Sequence, residues 1–261
     1  MPQRGPRRSG ELVGRFFRNP LIRLAESSFF ILNKAFQFFG LRLIKVDNIP
    51  KSIPEILSSD FVRVYTMALF AASVRERGLD GDVAELGVYR GDFARHINRC
   101  FPDRTIWLFD TFDGFVSSDV ISDRREGYSG ETDANDTLWR DTSVEHVLAR
   151  LPFPEKAKMR KGAFPQSAAG VDVAFCFASI DADLYEPIRE GLRFFWPRLV
   201  HGGLIIVHDY NNIRYRGARV AVDEFCEAMS ILSICIPDFG GSAILVKNDR
   251  QPAVTLSRGI P

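Results

Sequence analysis

The segment from Asp82 to Gly91, DVAELGVYRG, constrains the fold of this chain more than any other. Its apolar start predicts a buried strand that carries the acidic residue Glu85 near its end. A turn bracketed by Gly87 and Gly91 follows, and a helix is expected to open at Asp92. Such a turn directs backbone N–H groups and a helix N-terminus at the space above a sheet, which suits a charged, nucleotide-like ligand.

Apolar runs of strand length alternate with helical segments along the chain. The predicted strands are Asp82–Leu86, Thr105–Asp110, Ala157–Arg160, Val171–Asp181, Leu204–His208, Ile231–Ile236 and Ser242–Lys247. The predicted helices are Phe61–Arg77, Asp92–Cys100, Ser143–Arg150, Glu186–Leu199 and Arg216–Met229. Because the strands are apolar on both faces, we expect an α/β fold in which helices cover both faces of a mostly parallel sheet.

The last two predicted strands are joined by only Pro237–Gly241, which is too short for a helical crossover between parallel strands. They must therefore form an antiparallel hairpin. Seven strands that end in such a hairpin are typical of the Rossmann-like class I fold of S-adenosylmethionine-dependent methyltransferases rather than of dehydrogenases. This is an inference by fold analogy.

Composition narrows the class of protein. The 261 residues are 46% hydrophobic and 26% charged with a formal net charge of +1, which disfavours disorder and binding to nucleic acid. The four cysteines form no CxxC pair and are expected to be buried in a reducing compartment. No apolar stretch is long enough to cross a membrane, and no secretory leader is evident. We expect a cytoplasmic protein.

Three parts of the chain are organised differently from the predicted methyltransferase domain, residues 51–250. Residues 1–50 combine a basic tail with a Phe-rich apolar helix, which either packs on its own domain or a dimer mate, or lies on an anionic membrane surface. Residues 113–142 are polar and rich in Gly, Ser and Asp, and they are interpreted as a lid-like insertion, with a plain disordered insertion or a small helical segment as alternatives. Residues 251–261 form a C-terminal tail.

Acidic residues follow the central predicted strands, at the sheet edge where open α/β folds bind ligands. Asp110 ends the strand TIWLFD, where it can accept hydrogen bonds from a ribose or cap a turn. Asp181 and the pair His208-Asp209 follow two further strands and are expected to converge. Converging carboxylates favour a divalent metal ion such as Mg²⁺, and one histidine would equally admit Mn²⁺ or Fe²⁺. In the alternative, these acids cap helices or pair with Arg189, Arg214 and Arg216.

The motifs AELGVYRGDFA, FDTFDGF, IDADLYEPIREGL and GGLIIVHDYN occur in this order between about Asp82 and Glu224. In these motifs the chain resembles the macrocin O-methyltransferase (TylF/MycF/NovP) family, sugar O-methyltransferases that use S-adenosylmethionine and Mg²⁺. More distantly it is similar to catechol O-methyltransferase. One position departs from the family pattern, because His208 stands where the family usually has the first of two adjacent acids.

The resemblance implies roles for particular residues. The methionine end of S-adenosylmethionine would be held by Glu85, Leu86, Gly87, Tyr89 and Gly91, its ribose by Asp110, and its adenine would lie near Gly162 and Phe164. Asp181, His208 and Asp209 would ligate the metal ion. Asp181 is the first choice for the proton acceptor and His208 the second. Acceptor contacts are expected from Tyr185, Asn211, Asn212 and Arg214.

We therefore expect an O-methyltransferase that acts on a hydroxyl of a sugar or another vicinal-diol small molecule, within a homo-oligomer. A catechol-type acceptor is an alternative within the same class. Two further hypotheses are a relative that binds S-adenosylmethionine without catalysis, as a partner domain, and an enzyme of the membrane surface that acts on lipid-linked glycans. The acids at Asp181 and Asp209 argue against the non-catalytic hypothesis, because a scaffold does not need a cluster of like charges.

Overall fold

The structure, a computed structural model, describes residues 31, 32, 34, 60–130, 134 and 137–248. The predictions for the basic tail, for most of the N-terminal helix and for the C-terminal tail lie outside these residues. Ile31, Leu32 and Lys34 are helical and exposed. None of the described helices is both long and apolar enough to cross a membrane. The elements below all lie in the unit Pro50–Pro261.

Seven strands form one sheet in the order β3-β2-β1-β4-β5-β7-β6. They are β1 (Asp82–Leu86), β2 (Ile106–Asp110), β3 (Ala157–Lys161), β4 (Phe175–Ile180), β5 (Leu199–Val207), β6 (Ile234–Ile236) and β7 (Ser242–Val246). Strands β1 to β5 pair in parallel, whereas β7 is antiparallel to both β5 and β6. The predicted hairpin and the predicted fold class are thus confirmed.

Six α-helices accompany the sheet in the part of the chain from residue 60 onward that the structure describes. They are α1 (Phe61–Arg77), α2 (Ala94–Cys100), α3 (Ser117–Arg125), α4 (Val144–Arg150), α5 (Tyr185–Arg198) and α6 (Arg216–Met229). Helix α1 ends at Gly78, whose φ of 60° gives the left-handed cap that glycine favours. Helix α4 begins after Ser143, whose side chain accepts a hydrogen bond from the His146 backbone N–H.

The two faces of the sheet bury two separate cores. Alternate strand residues such as Val83 and Phe177 pack against α1, α2 and α4 on one face. Their neighbours, such as Ala84 and Ile180, pack against α5 and α6 on the other. Every residue of β4 is buried, as expected for a central strand covered on both faces.

Several predicted boundaries differ from the structure, and the two largest differences are at the starts of β4 and β5. Strand β4 begins at Phe175 rather than Val171, because its first partner on β1 is Asp82. Strand β5 begins at Leu199 rather than Leu204, since an irregularity around Gly202, whose φ is 78°, lets the earlier residues pair as well. The predicted insertion 113–142 contains helix α3, and its interpretation as a lid stays a prediction.

Candidate active site

The carboxyl ends of β1, β2, β4 and β5 surround a cavity of about 670 Å³. The residues predicted for the site line this cavity with one exception, Gly91; they are Glu85, Leu86, Gly87, Tyr89, Asp110, Gly162, Phe164, Asp181, His208 and Asp209. The cavity lies where β1 and β4 are neighbours, which is the point where the chain switches from one side of the sheet to the other. The size is in the range of small-molecule sites.

Glu85 is 1% exposed and lies on the face of β1 that is covered by α1 and α2. Its Oε2 atom is buried and has no hydrogen-bond partner among the described residues. Burial raises the pKa of Glu85 well above its ordinary value; Arg63 opposes this shift, and Asp181 and Asp110 add to it. A buried carboxylate oxygen on a cavity wall is suited to a ligand that carries a positive charge or a donor.

The two glycines of the turn serve different purposes. Gly87 has a φ of 83°, and a Cβ there would lie 1.9 Å from the carbonyl oxygen of Asp181. Only glycine lets these two backbones approach so closely. Gly91 lies away from the cavity, and a Cβ at that position would meet Val147 of α4 at 3.0 Å. The structure therefore assigns Gly91 to packing of the turn and does not place it where it can touch a ligand in the cavity.

Asp110 acts as a cap for the turn while facing the cavity. Its Oδ2 accepts hydrogen bonds from the backbone N–H groups of Val88 (2.7 Å) and Tyr89 (2.9 Å). Its Oδ1 accepts one from Phe112 at 2.6 Å. The capping alternative from the sequence is thus present in the structure. Because the Thr111 hydroxyl donates to the Gly114 carbonyl at 2.6 Å and is 3.5 Å from Oδ1, that oxygen retains capacity for one further donor such as a ribose hydroxyl.

Gly162 and Phe164 lie beside Asp110, at the end of β3. The Gly162 N–H donates to the Asp110 carbonyl at 2.9 Å. The Phe164 ring packs edge-on against Phe109 and lies nearly parallel to Phe195. This apolar wall is chemically suited to a flat aromatic ring such as adenine.

Residues 139–142 cover the turn from above. Trp139 packs edge-on against Tyr89 with ring centroids 5.0 Å apart. Asp141 accepts hydrogen bonds from the Tyr89 hydroxyl and the Arg90 guanidinium, and the Thr142 hydroxyl donates to the Tyr89 carbonyl. Trp139 also lines the cavity, so the end of the predicted insertion contributes to the site.

Asp181, His208 and Asp209 come together as the sequence predicts. The His208 Nδ1 atom lies 3.0 Å from Asp181 Oδ1 and 2.9 Å from Asp209 Oδ2. Although burial lowers the pKa of His208, Asp181 and Asp209 raise it to about 11. Burial raises the pKa of Asp181, but His208 and Arg63 outweigh it and hold that pKa below its ordinary value. Without a metal ion, the imidazolium therefore bridges the two carboxylates.

The same three residues form a donor set that fits a divalent ion. One nitrogen and two carboxylate oxygens lie within 4.8 Å of one another. Oxygen ligands suit Mg²⁺, and the imidazole makes Mn²⁺ or Fe²⁺ equally acceptable. A bound ion would take the place of the proton on His208 Nδ1, because a metal ligand must be deprotonated.

Two residues of the cluster, Asp183 and Asn212, extend it toward the cavity. The Asn212 side chain donates to Asp209 Oδ1 at 2.7 Å. Burial raises the pKa of Asp183 well above its ordinary value, and Asp209 and Asp181 raise it further. Asp183 belongs to the motif IDADLYEPIREGL but is not among the site residues expected from the sequence. Its position two residues after Asp181 was the indication that the sequence offered.

Arg63 of helix α1 is the principal site residue that the sequence reasoning missed. It is 2% exposed, and its Nη1 donates to Asp181 Oδ2 at 2.7 Å. Asp181 thus pairs with Arg63, whereas Arg189 contacts Glu186 and Glu190 on its own helix. A charged residue four positions before Met67, on the buried stripe of α1, was the indication in the sequence.

The four predicted acceptor contacts are divided by the structure. Asn212 and Arg214 line the cavity. Tyr185 does not, since its hydroxyl donates to Glu224 at 2.6 Å on α6. Asn211 packs instead against Gly241, where a Cβ would lie 2.7 Å from that of Asn211.

Comparison with known proteins identifies the relatives of this chain. The model of the macrocin O-methyltransferase (TylF) family matches residues 61–236. The 8-demethyl-8-(2,3-dimethoxy-alpha-L-rhamnosyl)-tetracenomycin-C 4'-O-methyltransferase of Streptomyces olivaceus is 28% identical over 186 residues, 63% of this chain and 70% of the relative. The demethyldecarbamoylnovobiocin O-methyltransferase of Streptomyces niveus is 33% identical over 161 residues, 56% of this chain and 58% of the relative.

A solved structure supports the fold. The O-methyltransferase NovP superposes with a TM-score of 0.56 at 22% identity, over 72% of this chain and 80% of that chain. Since the family model covers most of the region that the structure describes, including α1, the turn and the acidic cluster, the chain belongs to the macrocin O-methyltransferase (TylF) family.

Proposed function

We propose that this protein transfers a methyl group from S-adenosylmethionine to a hydroxyl of a sugar, within a glycoside or similar small molecule. One observation carries the proposal. The buried oxygen of Glu85, which has no partner among the described residues, and the carboxylate of Asp181 line the same cavity, so that a site for the methyl donor and a candidate base are adjacent. Family membership supports the reaction class, and the activities for which the relatives are named support the sugar acceptor.

The residues around β1 and β2 fit the cofactor. Glu85 offers its free oxygen to the methionine ammonium group, and Asp110 offers Oδ1 to the ribose. Phe164 supplies an apolar face for the adenine. The positive charge of the sulfonium also favours a site lined by several carboxylates.

Asp181 is the proposed proton acceptor. The sulfonium donor needs no activation, so the protein must hold the acceptor oxygen in line with the methyl group and remove its proton. As the new O–CH₃ bond forms, the S–CH₃ bond breaks, the sulfur keeps the electron pair, and the hydroxyl proton passes to Asp181 Oδ1. Oδ1 is the oxygen that Arg63 does not hold, and in the free protein it lies 3.0 Å from His208 Nδ1.

Asp181, His208 and Asp209 are the proposed ligands of a divalent metal ion. When bound, the ion would act as a Lewis acid that lowers the pKa of an acceptor hydroxyl. Mg²⁺ is the proposed ion, with Mn²⁺ or Fe²⁺ as alternatives because of His208. The cytoplasmic location, the homo-oligomer and membrane contact through residues 1–50 stay predictions.

A labelled-methyl screen tests the proposal. The protein is incubated with S-adenosyl-L-[methyl-³H]methionine and panels of glycosides, nucleotide sugars, glycolipids and catechols, in Mg²⁺, Mn²⁺ or EDTA. We expect transfer to a glycoside, and loss of at least about a hundredfold in Asp181→Asn, a typical loss for a general base. Transfer to catechols alone would show that the acceptor is a catechol and not a sugar. Binding of S-adenosylmethionine without any transfer would favour a non-catalytic partner domain. Unchanged rates in EDTA would show that the reaction does not need a metal ion.

A further inference from the structure

The two terminal nitrogens of Arg63 contact residues of the site, whereas its buried Nε has no hydrogen-bond partner among the described residues. Besides the bond from Nη1 to Asp181 Oδ2, its Nη2 donates to the Ser179 hydroxyl at 2.7 Å. Its guanidinium carbon lies 3.8 Å from the ring centroid of Phe93, at the start of α2. Asp60 is the fourth neighbour, with Oδ2 at 3.6 Å from Nη1. One side chain of α1 therefore joins β4, its following loop and the entry to α2.

The geometry points to Arg63 as a positioning residue for methyl transfer, which acts through Asp181. This inference rests on the proposed function and deepens it. Ser179 and Asp181 are two residues apart and point to the same side of the sheet, so the planar guanidinium spans both with separate N–H groups. This fixes Oδ2 of Asp181 and directs Oδ1 toward His208 Nδ1, 3.0 Å away, so that Arg63 sets the orientation of the carboxylate proposed to take the proton.

A purely structural role explains the arrangement less well. A buried ion pair contributes little net stability compared with apolar side chains of similar volume, and the adjacent positions of α1 are already occupied by Val64 and Met67. The guanidinium also lies among three carboxylates, since Glu85 as well as Asp60 and Asp181 act on it electrostatically. Its removal would leave these like charges to set the direction of Asp181 by mutual repulsion.

Four variants separate positioning from stability. Arg63→Met removes the charge, Arg63→Lys keeps it without the planar fork, Ser179→Ala removes only the second hydrogen bond, and Arg104→Met is the matched control. Arg104 is also partly buried and donates to the carbonyls of Leu79 and Gly81, away from the cavity. The readouts are kcat with the acceptor found by the labelled-methyl screen, the dissociation constant of S-adenosylmethionine by calorimetry, and the thermal midpoint.

We expect Arg63→Met to lower kcat about a hundredfold, the loss typical of a misplaced reacting group, while the cofactor binds within about threefold of the parent. Arg63→Lys should recover about tenfold of that loss, because an ammonium reaches one partner only. Ser179→Ala removes only the hydrogen bond between Arg63 and Ser179, and it should lower kcat by a smaller factor. Arg104→Met should lower the thermal midpoint and leave kcat within about twofold.

The inference is overturned if Arg63→Met keeps kcat at the value of Arg104→Met, or if Arg63→Lys is as slow as Arg63→Met. If Arg63→Met does not fold, the kcat values of Arg63→Lys and Ser179→Ala decide: both should be lower than that of Arg104→Met, and equal values would overturn the inference. Failure of the proposed function gives a different result, because the parent would then transfer no methyl group to any acceptor. The thermal midpoints of Arg63→Met, Asp181→Asn and the double variant would still report the ion pair, with the double variant no less stable than the worse single variant.

Discussion

Glu85 shows how burial prepares a single side chain for a ligand. The strand places its carboxylate on the inner face of the sheet, where it is 1% exposed and where Oε2 lacks a partner among the described residues. Such a group costs stability until a ligand satisfies it. Because this oxygen lacks a hydrogen-bond donor in the protein, it is a reasonable binding group for a cationic cofactor.

Replacement of Glu85 by Gln should stabilise the fold and weaken cofactor binding. Because the folded-state pKa of Glu85 is raised above its ordinary 4.5 by burial, the parent loses stability as the pH rises above about 4.5, whereas the Gln variant does not titrate. We expect Glu85→Gln to gain stability relative to the parent between pH 4.5 and 7.5, and to bind S-adenosylmethionine at least about tenfold more weakly. Urea midpoints at both pH values and calorimetry measure this. A constant stability difference combined with unchanged affinity would contradict it.

The bridge made by His208 should contribute stability that is lost at high pH. Its pKa is raised from 6.5 to about 11, so its contribution to stability is fully present below about pH 6.5 and is lost as the pH rises toward 11. In EDTA, we expect His208→Gln to be less stable than the parent by about 2 kcal/mol at pH 6 and by clearly less at pH 10. Denaturant midpoints measure the difference. The same change at exposed His146 is the control, and a His208 difference that stays constant with pH would refute the bridge.

At the scale of elements, a buried acid helps to attach α3 to the domain, beside the packing of Val120 against Leu184 and Tyr215. Asp123 is 1% exposed. Its Oδ1 accepts a hydrogen bond at 3.2 Å from the backbone N–H of Tyr185, which is the first residue of α5. Burial raises the pKa of Asp123 to about 6, although the Tyr185 N–H opposes the shift. Part of the segment interpreted as a lid is thus fastened to the body of the sheet domain.

Loss of this contact should loosen α3. In Asp123→Ala, the backbone N–H of Tyr185 loses its acceptor, and we expect amide hydrogen exchange within Ser117–Arg125 to accelerate at least about tenfold. Arg125→Ala is the control, because Arg125 forms an exposed ion pair with Glu126 that contributes little. Mass spectrometry of the exchanged peptides measures both. Equal exchange in the two variants would show that α3 does not depend on Asp123.

The contact between the β1 turn and the end of β4 makes a second prediction at this scale. An alanine at Gly87 would place its Cβ 1.9 Å from the Asp181 carbonyl oxygen, so the strands must separate. We expect Gly87→Ala to lose more than about 4 kcal/mol of unfolding free energy, a cost that marks a special backbone position. Gly78→Ala, with a similarly positive φ but nothing within 4 Å, should lose only about 1 to 2 kcal/mol. Equal losses in urea denaturation would contradict the steric argument.

At the scale of the whole molecule, charge is distributed unevenly. The chain has a formal net charge of +1, yet the cavity is acidic. Among the described residues, eight carboxylates line it: Asp60, Glu85, Asp92, Asp110, Asp119, Asp181, Asp183 and Asp209. Three arginines and the His208 imidazolium oppose them; the arginines are Arg63, Arg95 and Arg214. Such a field concentrates cations and repels anions.

The acidic cavity should select among sugar acceptors by charge. We expect a neutral glycoside to be methylated with a kcat/KM at least about tenfold higher than the same sugar bearing a pyrophosphate. This ratio should shrink as the salt concentration rises from about 0.05 to about 0.5 M, because salt screens the repulsion. Labelled-methyl transfer to the two matched acceptors measures it. A preference for the pyrophosphate sugar would contradict the charge argument.

Local patterns were sufficient for most of the elements and for the glycine turn and strand-end acids of the cavity. The apolar strand, the glycine turn and the acid after each central strand are encoded within a few residues, and all parallel strands present their carboxyl ends at one edge. The helix α3 could not be predicted in this way. Its sequence, SSDVISDRR, has little apolar periodicity, and it is held by tertiary contacts such as that of Asp123.

The sequence by itself determined that the first five strands are parallel, that the last two form an antiparallel hairpin, and that Asp181 meets His208 and Asp209. Only the tertiary structure decided that Gly91 packs against α4, that Tyr185 turns toward α6, and that Arg63 holds Asp181. The physical reason is separation along the chain. Arg63 and Asp181 are 118 residues apart, and their contact depends on how α1 lies across the sheet, which is set by the packing of the whole core rather than by any local pattern.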